Sequence, residues 1–137
     1  VKTNPLYTGR ELEHQLNDSG AKVLVVLANL AKAAESVIDK TQIQHVIITE
    51  VGDMHSFPKR QLINSVLRYI KKQVPEVHFA SSISLRQALS LGSRDAFSEV
   101  QRAPEDIAFL QYTGGTTGVA KGAMLSQANL LANKKNT

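Results

Sequence analysis

Val23-Leu24-Val25-Val26-Leu27 is the segment that most narrows what this chain can become. Five consecutive aliphatic residues, three of them β-branched valines, disfavour helix through χ1 crowding and favour an extended strand. Because the run does not alternate with polar residues, it reads as a strand buried on both faces, the pattern of a parallel sheet. A second apolar run, Val46-Ile47-Ile48, follows after the alanine-rich segment Leu30–Lys40, which is helical by propensity. Strand, helix, strand makes a βαβ unit, so the fold class is α/β with a small parallel sheet from strands near 22–27 and 45–49.

The flanking segments carry local signals. Thr8 and Glu11 have capping-box spacing, Leu12 and Leu16 share one helical face, and Asn17-Asp18-Ser19-Gly20 supplies turn formers and a glycine stop. Leu62, Ile63, Val66, Leu67 and Ile70 recur at helical spacing among Lys59, Arg60, Arg68, Lys71 and Lys72, and the pattern ends before Pro75. Such a stripe normally packs on its own domain, while a second reading has the basic helix lying on an anionic membrane. Ser84 and Gln87 mark a short helix that stops at Gly92, and residues 93–105 read as loop. Ile107–Tyr112 and Gly122–Leu125 read as paired strands, so a β-hairpin spans 107–125. Ser126 then caps a last helix, with Leu125 and Leu130 placed as a hydrophobic staple.

Composition removes several classes. With 16 Lys and Arg against 12 Asp and Glu, the net charge of +4 is scattered rather than clustered, and nucleic-acid binding is not expected. The absence of cysteine excludes disulfides and cysteine metal sites and suits a reducing, cytoplasmic location. No apolar stretch approaches the roughly 20 residues of a membrane helix, and no signal peptide opens the chain. The 137 residues suffice for one domain, yet the chain opens at Val1 and closes within a helical pattern at Lys134-Lys135-Asn136, so both ends read as cut.

The chemistry is concentrated in Tyr112-Thr113-Gly114-Gly115-Thr116-Thr117-Gly118-Val119-Ala120-Lys121-Gly122, which holds four of the eight glycines. Glycines let successive N–H groups turn inward as an anion-holding nest; Thr113, Thr116 and Thr117 add hydroxyl donors, and Lys121 adds a point charge. A plain hairpin turn needs only about two to five residues and has no use for these groups. A Walker A loop fails on spacing, because Ala120 rather than glycine precedes the lysine and Gly122 rather than Ser or Thr follows it.

The segment resembles the phosphate loop of the adenylate-forming (acyl-activating) superfamily, which includes acyl-CoA synthetases, luciferases and peptide-synthetase adenylation domains. Asn4-Pro5-Leu6-Tyr7-Thr8, Arg10-Glu11-Leu12 and Gln15–Gly20 are similar to an upstream block of the same enzymes, and the whole chain resembles the bacterial long-chain fatty acid-CoA ligases. The resemblance implies that Tyr112, Thr113, Gly114, Gly115, Thr116, Thr117, Gly118, Lys121 and Gly122 bind the β- and γ-phosphates of ATP. It makes Thr113 the residue nearest a magnesium ion.

The upstream residues, His14 and Asp18 among them, are expected to shape the fold. Ala120 departs from a common proline, and Gln127 from a common histidine. The resemblance further implies a piece of the large N-terminal AMP-binding domain, divided into a βαβ segment (1–51), a helical insertion (52–104) and the phosphate-loop hairpin with its helix (105–137). Fatty acid, ATP and CoA are the implied small-molecule partners, with contact at the inner membrane surface as the second reading of the basic helix. No Tyr-Gly-x-Thr-Glu block, ribose-binding aspartate, hinge or C-terminal catalytic-lysine region is present, so the piece is expected to be inactive alone. The rival from another class is a complete, non-catalytic nucleotide- or anion-binding module.

Overall fold

A computed structural model describes residues 1–113 and 120–135, with side chains through Asn133. Two compact units result: Tyr7–Ala96, and Val1–Leu6 together with the segment that begins at Phe97.

The larger unit begins with α1 (Gly9–Asp18), and its start is set by the expected capping box. The Glu11 N–H donates to the Thr8 hydroxyl while the Thr8 N–H donates to the Glu11 carboxylate at 2.8 Å. Gly20 ends the helix with φ at +61°, the left-handed conformation that a Cβ disfavours. Asn17 Nδ2 then donates to the Lys40 carbonyl at 3.0 Å, tying the helix end to the turn before the second strand.

The sheet is parallel, with β1 (Val23–Leu27), β2 (His45–Thr49) and the short β3 (Ser82–Ser84) in that order. Val23 pairs with His45, Leu27 with Thr49, and Ile47 with Ile83. Two features depart from the sequence reading. First, β1 is not buried on both faces: Leu24 is 8% exposed, whereas Val23 and Val25 are 50% and 57% exposed. The cause is one-sided cover: Leu24 joins the cluster of Leu12, Leu16, Ala34 and Val37. Second, the alanine-rich segment is not one helix. A single 3-10 turn (Ala28–Leu30) leads into α2 (Ala31–Glu35), which stops where the Ser36 hydroxyl donates back to the Ala33 carbonyl at 2.7 Å. The β-branched Val37 and Ile38 follow, and a second 3-10 turn closes at Lys40.

Beyond β2, α3 (Lys59–Ser65) continues into a π turn, Val66–Ile70, whose Lys71 N–H reaches back five residues to Val66 at 2.8 Å. After β3, α4 (Leu85–Gly92) starts as expected, with the Ser84 hydroxyl accepting from the Gln87 N–H. The smaller unit is an antiparallel hairpin, β4 (Ile107–Thr113) and β5 (Lys121–Ser126), followed by α5 (Gln127–Lys135). Lys2 adds an isolated parallel bridge to Gln111.

Two glycines at helix ends are expected to respond oppositely to alanine. Gly20→Ala should destabilise by about 1 kcal/mol, because the left-handed backbone is strained by a Cβ. Gly92→Ala meets open space and should stabilise by about 0.5 kcal/mol through lost unfolded-state freedom. Urea unfolding of both variants checks the contrast.

Glu35 gives the larger unit an acid-sensitive link. The Lys32 ammonium first, and the His78 N–H second, hold its carboxyl below the usual carboxylate range; the His78 bond is 2.6 Å long. A folded value below the unfolded one means that this stabilisation is present above the ordinary glutamate pKa of about 4.3 and is lost as pH falls through the folded value. Glu35→Gln should therefore lower stability at neutral pH and flatten the acid side of the stability profile, measured by unfolding between neutral pH and pH ~3.

Candidate functional site

The hairpin builds the mouth of the glycine- and threonine-rich loop. Its register places Thr113 opposite Lys121, Tyr112 opposite Gly122, and Gln111 opposite Ala123. Directly opposed residues of an antiparallel pair share a face, with Cβ atoms about 5 Å apart. Thr113 and Lys121 therefore share the exposed face of the hairpin, at the two points where the chain enters and leaves the loop. Gly114, Gly115, Thr116, Thr117 and Gly118 lie outside the described residues.

The opposite face explains the glycine that follows the lysine. Tyr112 is only 7% exposed, and its ring lies across Gly122: a Cβ there would come within 2.9 Å of Tyr112 Cζ and 3.1 Å of Cε2. Gly122 is thus required by close packing within the stem. Tyr112 is the wedge that sets the stem, and the exposed pair beside it faces solvent.

The far end of the hairpin is clamped from three directions. The Gln127 N–H donates to the Asp106 carbonyl at 3.0 Å, and the Ala128 N–H to the Pro104 carbonyl at 3.0 Å. Ser126 and Asn129 form a reciprocal cap: the Asn129 N–H donates to the Ser126 hydroxyl, and the Ser126 N–H donates to Asn129 Oδ1 at 3.1 Å. Ser126 as the cap of the last helix was legible in the sequence, whereas the two carbonyls before β4 carried no local signal. Gln127 takes part here through its backbone, so its departure from histidine leaves this clamp intact.

Within the larger unit, a polar network that the sequence reading missed holds α3 to the end of β2. Asn64 Oδ1 accepts from the Gly52 N–H at 2.8 Å, and Asn64 Nδ2 donates to Asp53; Asp53 in turn accepts from the Glu50 N–H at 2.8 Å. Glu50 pairs with Arg68. A Cβ on Gly52 would meet Asn64 Oδ1 at 2.5 Å, so the glycine permits this approach. The network borders a small cleft of about 30 Å³ at the carboxyl ends of β1 and β2, and its Glu50 and Asn64 groups are already satisfied by Arg68, Gly52 and Asp53. Among the described residues no cluster of three or more His, Cys, Asp or Glu could hold a metal ion, and no helix is long and apolar enough to cross a membrane.

The α/β architecture and this hairpin leave the class of protein open, and comparison with known proteins supplies it. The family model for AMP-binding enzymes matches residues 1–137, and the chain belongs to that family. It is 57% identical over 133 residues to a long-chain-fatty-acid–CoA ligase of Escherichia coli O157:H7, covering 97% of this chain and 24% of that one. The corresponding Bacillus subtilis ligase is 37% identical with the same coverage. Among solved structures, a long-chain-fatty-acid-CoA ligase from Archaeoglobus fulgidus aligns with a TM-score of 0.56 at 33% identity, covering 96% of this chain and 20% of that one. The adenylation domain of a Mycobacterium chelonae carboxylate reductase shares the fold, with a TM-score of 0.67 at 20% identity. The chain spans about a quarter of the length of the curated relatives it matches.

The Tyr112–Gly122 contact is expected to behave as a coupled pair. Gly122→Ala alone should destabilise the hairpin unit, and shortening the ring in the Tyr112→Ala, Gly122→Ala double variant should recover part of the loss. Thermal unfolding in a double-mutant cycle should give a coupling of about 1 kcal/mol or more.

Proposed function

We propose that this chain is one segment of the N-terminal AMP-binding domain of an ATP-dependent long-chain fatty acid-CoA ligase, and that it supplies the loop gripping the β- and γ-phosphates of ATP. The single observation carrying this reading is the hairpin register that brings Thr113 and Lys121 together on the exposed face at the loop mouth. The fatty acid-CoA ligase activity for which the relatives are named supports the substrate class. Thr113, Thr116 and Thr117 are hydroxyl donors to phosphate oxygens, Gly114, Gly115 and Gly118 present backbone N–H groups, and Lys121 supplies the charge; Tyr112 and Gly122 hold the stem. The reaction is attack of the fatty acid carboxylate on the α-phosphorus, releasing diphosphate, followed by displacement of AMP by the CoA thiol.

These donors orient the leaving diphosphate and offset the charge that grows on it in the transition state. Magnesium, when bound, shares that neutralisation, and the exposed Thr113 hydroxyl at the loop mouth fits the approach of such an ion. On this reading the protein works in the cytoplasm, and peripheral contact at the inner membrane surface is the second reading of its basic helix.

In a full-length ligase carrying this sequence, Lys121→Ala removes the charge, and Thr117→Val removes one hydroxyl at similar bulk. Each should depress adenylation by about ten- to a thousandfold, the range for losing one preorganised donor. CoA transfer from a supplied acyl-adenylate should suffer much less, since diphosphate has already left. An equal loss in both half-reactions, with the fold intact, removes the role assigned to the loop. The 137-residue chain alone should form no acyl-CoA, and ATP- and CoA-dependent thioester formation by it would contradict this division of labour.

A further inference from the structure

The hairpin ladder is irregular at its base. Ile107 pairs with Ser126, but Phe109 pairs with Leu125, so β4 advances two residues while β5 advances one, and Ala108 is left over as a bulge. Every pair beyond it, through Thr113 and Lys121, takes its alignment from that extra residue. Without the bulge, the same starting pair would bring Tyr112 opposite Lys121 and Gln111 opposite Gly122. The tyrosine ring would lose the glycine it packs on, and Thr113 would lose its place opposite the lysine.

Two side chains brace the base just below the bulge. Asp106 Oδ2 accepts from the Ala103 N–H at 3.0 Å, while the Asp106 N–H donates to the Ala103 carbonyl at 3.1 Å. The turn closed in this way presents the carbonyls of Pro104 and Asp106 to the first N–H groups of α5. On the other strand, Asn129 Oδ1 accepts from both the N–H and the hydroxyl of Ser126, at 3.1 and 3.0 Å, and fixes the last residue of β5 against α5. With β4 held from Asp106 and β5 held from Ser126, neither strand can slide, and the extra residue stays at Ala108.

The brace lies at the far end of β5 from Lys121. Five residue steps of strand span about 17 Å, so no side chain at the base shares a ligand atom with the loop mouth. Any influence of the base on the loop passes through strand alignment. We infer that Asp106 and Asn129 are positioning residues for adenylation, which set where Lys121 stands at the mouth of the phosphate loop by holding the bulge in place. This rests on the role proposed for Lys121 above.

The test uses a full-length ligase carrying this sequence, with adenylate formation and CoA transfer from a supplied acyl-adenylate measured separately. Asp106→Ala and Asn129→Ala should each slow adenylation by about ten- to a hundredfold, the scale of a small misplacement transmitted from outside the reacting centre, and leave CoA transfer largely intact. Asp106→Asn and Asn129→Asp keep the accepting oxygen and should restore most of the rate. In a Lys121→Ala background, Asp106→Ala and Asn129→Ala should add little further loss, because the group they position is already gone.

Full additivity with Lys121→Ala overturns the inference, since the two residues then act without the lysine. Equal loss in both half-reactions overturns it as well, because the base then only stabilises the fold. Conservative variants as impaired as the alanine ones exclude the accepting oxygens as the cause. If Asp106→Ala and Asn129→Ala are silent while Lys121→Ala is impaired, the positioning role falls and the loop reading stands; a silent Lys121→Ala removes both.

Discussion

Close approach of α1 and α2 to β1 is the constraint on which the larger unit depends. Leu12 and Leu16 from one helix, Ala34 and Val37 from the next turns and Leu24 from the strand form the buried cluster, and Ala31 and Ala34 are fully inaccessible. Alanine at the point of contact lets the backbones come near each other, so the leucines reach one buried cluster. Each buried leucine contributes roughly 1.5–3 kcal/mol through removal of its surface from water. The rest of the sheet is registered from β1: β2 pairs with β1 in parallel, and β3 with β2.

The smaller unit is organised by the opposite device, a large side chain against no side chain. Tyr112 over Gly122 fixes which residues face each other, and that alignment leaves the neighbouring pair, Thr113 and Lys121, together on the other face. Packing on one side of the hairpin thus sets which residues stand together on the other. A shift of one residue would exchange the two faces.

Local signals were readable from the sequence because a few adjacent residues decide them. The Thr8–Glu11 box, the Gly20 stop, the Ser84 cap and the Ser126 cap all appear at the expected positions. The two parallel strands and the hairpin were legible as apolar runs. What escaped depends on distant partners. Ser82-Ile83-Ser84 carries a single apolar residue, and only pairing with β2 makes it a strand. The exposed side of β1 could not be read from its aliphatic run, since that run says nothing about whether a helix covers it. The Gly52–Asn64–Asp53 network joins residues up to 12 apart through side-chain geometry, and the π turn changes the phase of a stripe whose spacing alone suggested continuous burial. The glycine-, threonine- and lysine-rich segment stood out most in the sequence, because that composition exceeds what an ordinary turn needs, and the phosphate-binding role proposed for it starts from that pattern.

The carbonyls of Pro104 and Asp106 that receive the first N–H groups of α5 have a consequence for how the hairpin can evolve. They anchor both strands at the end remote from the seven residues between Thr113 and Lys121. Strand alignment therefore has a source that does not involve the connecting segment. That segment is relieved of encoding a tight reversal, and its composition is free to be selected for contact with a ligand, even at the entropic disadvantage that several glycines bring.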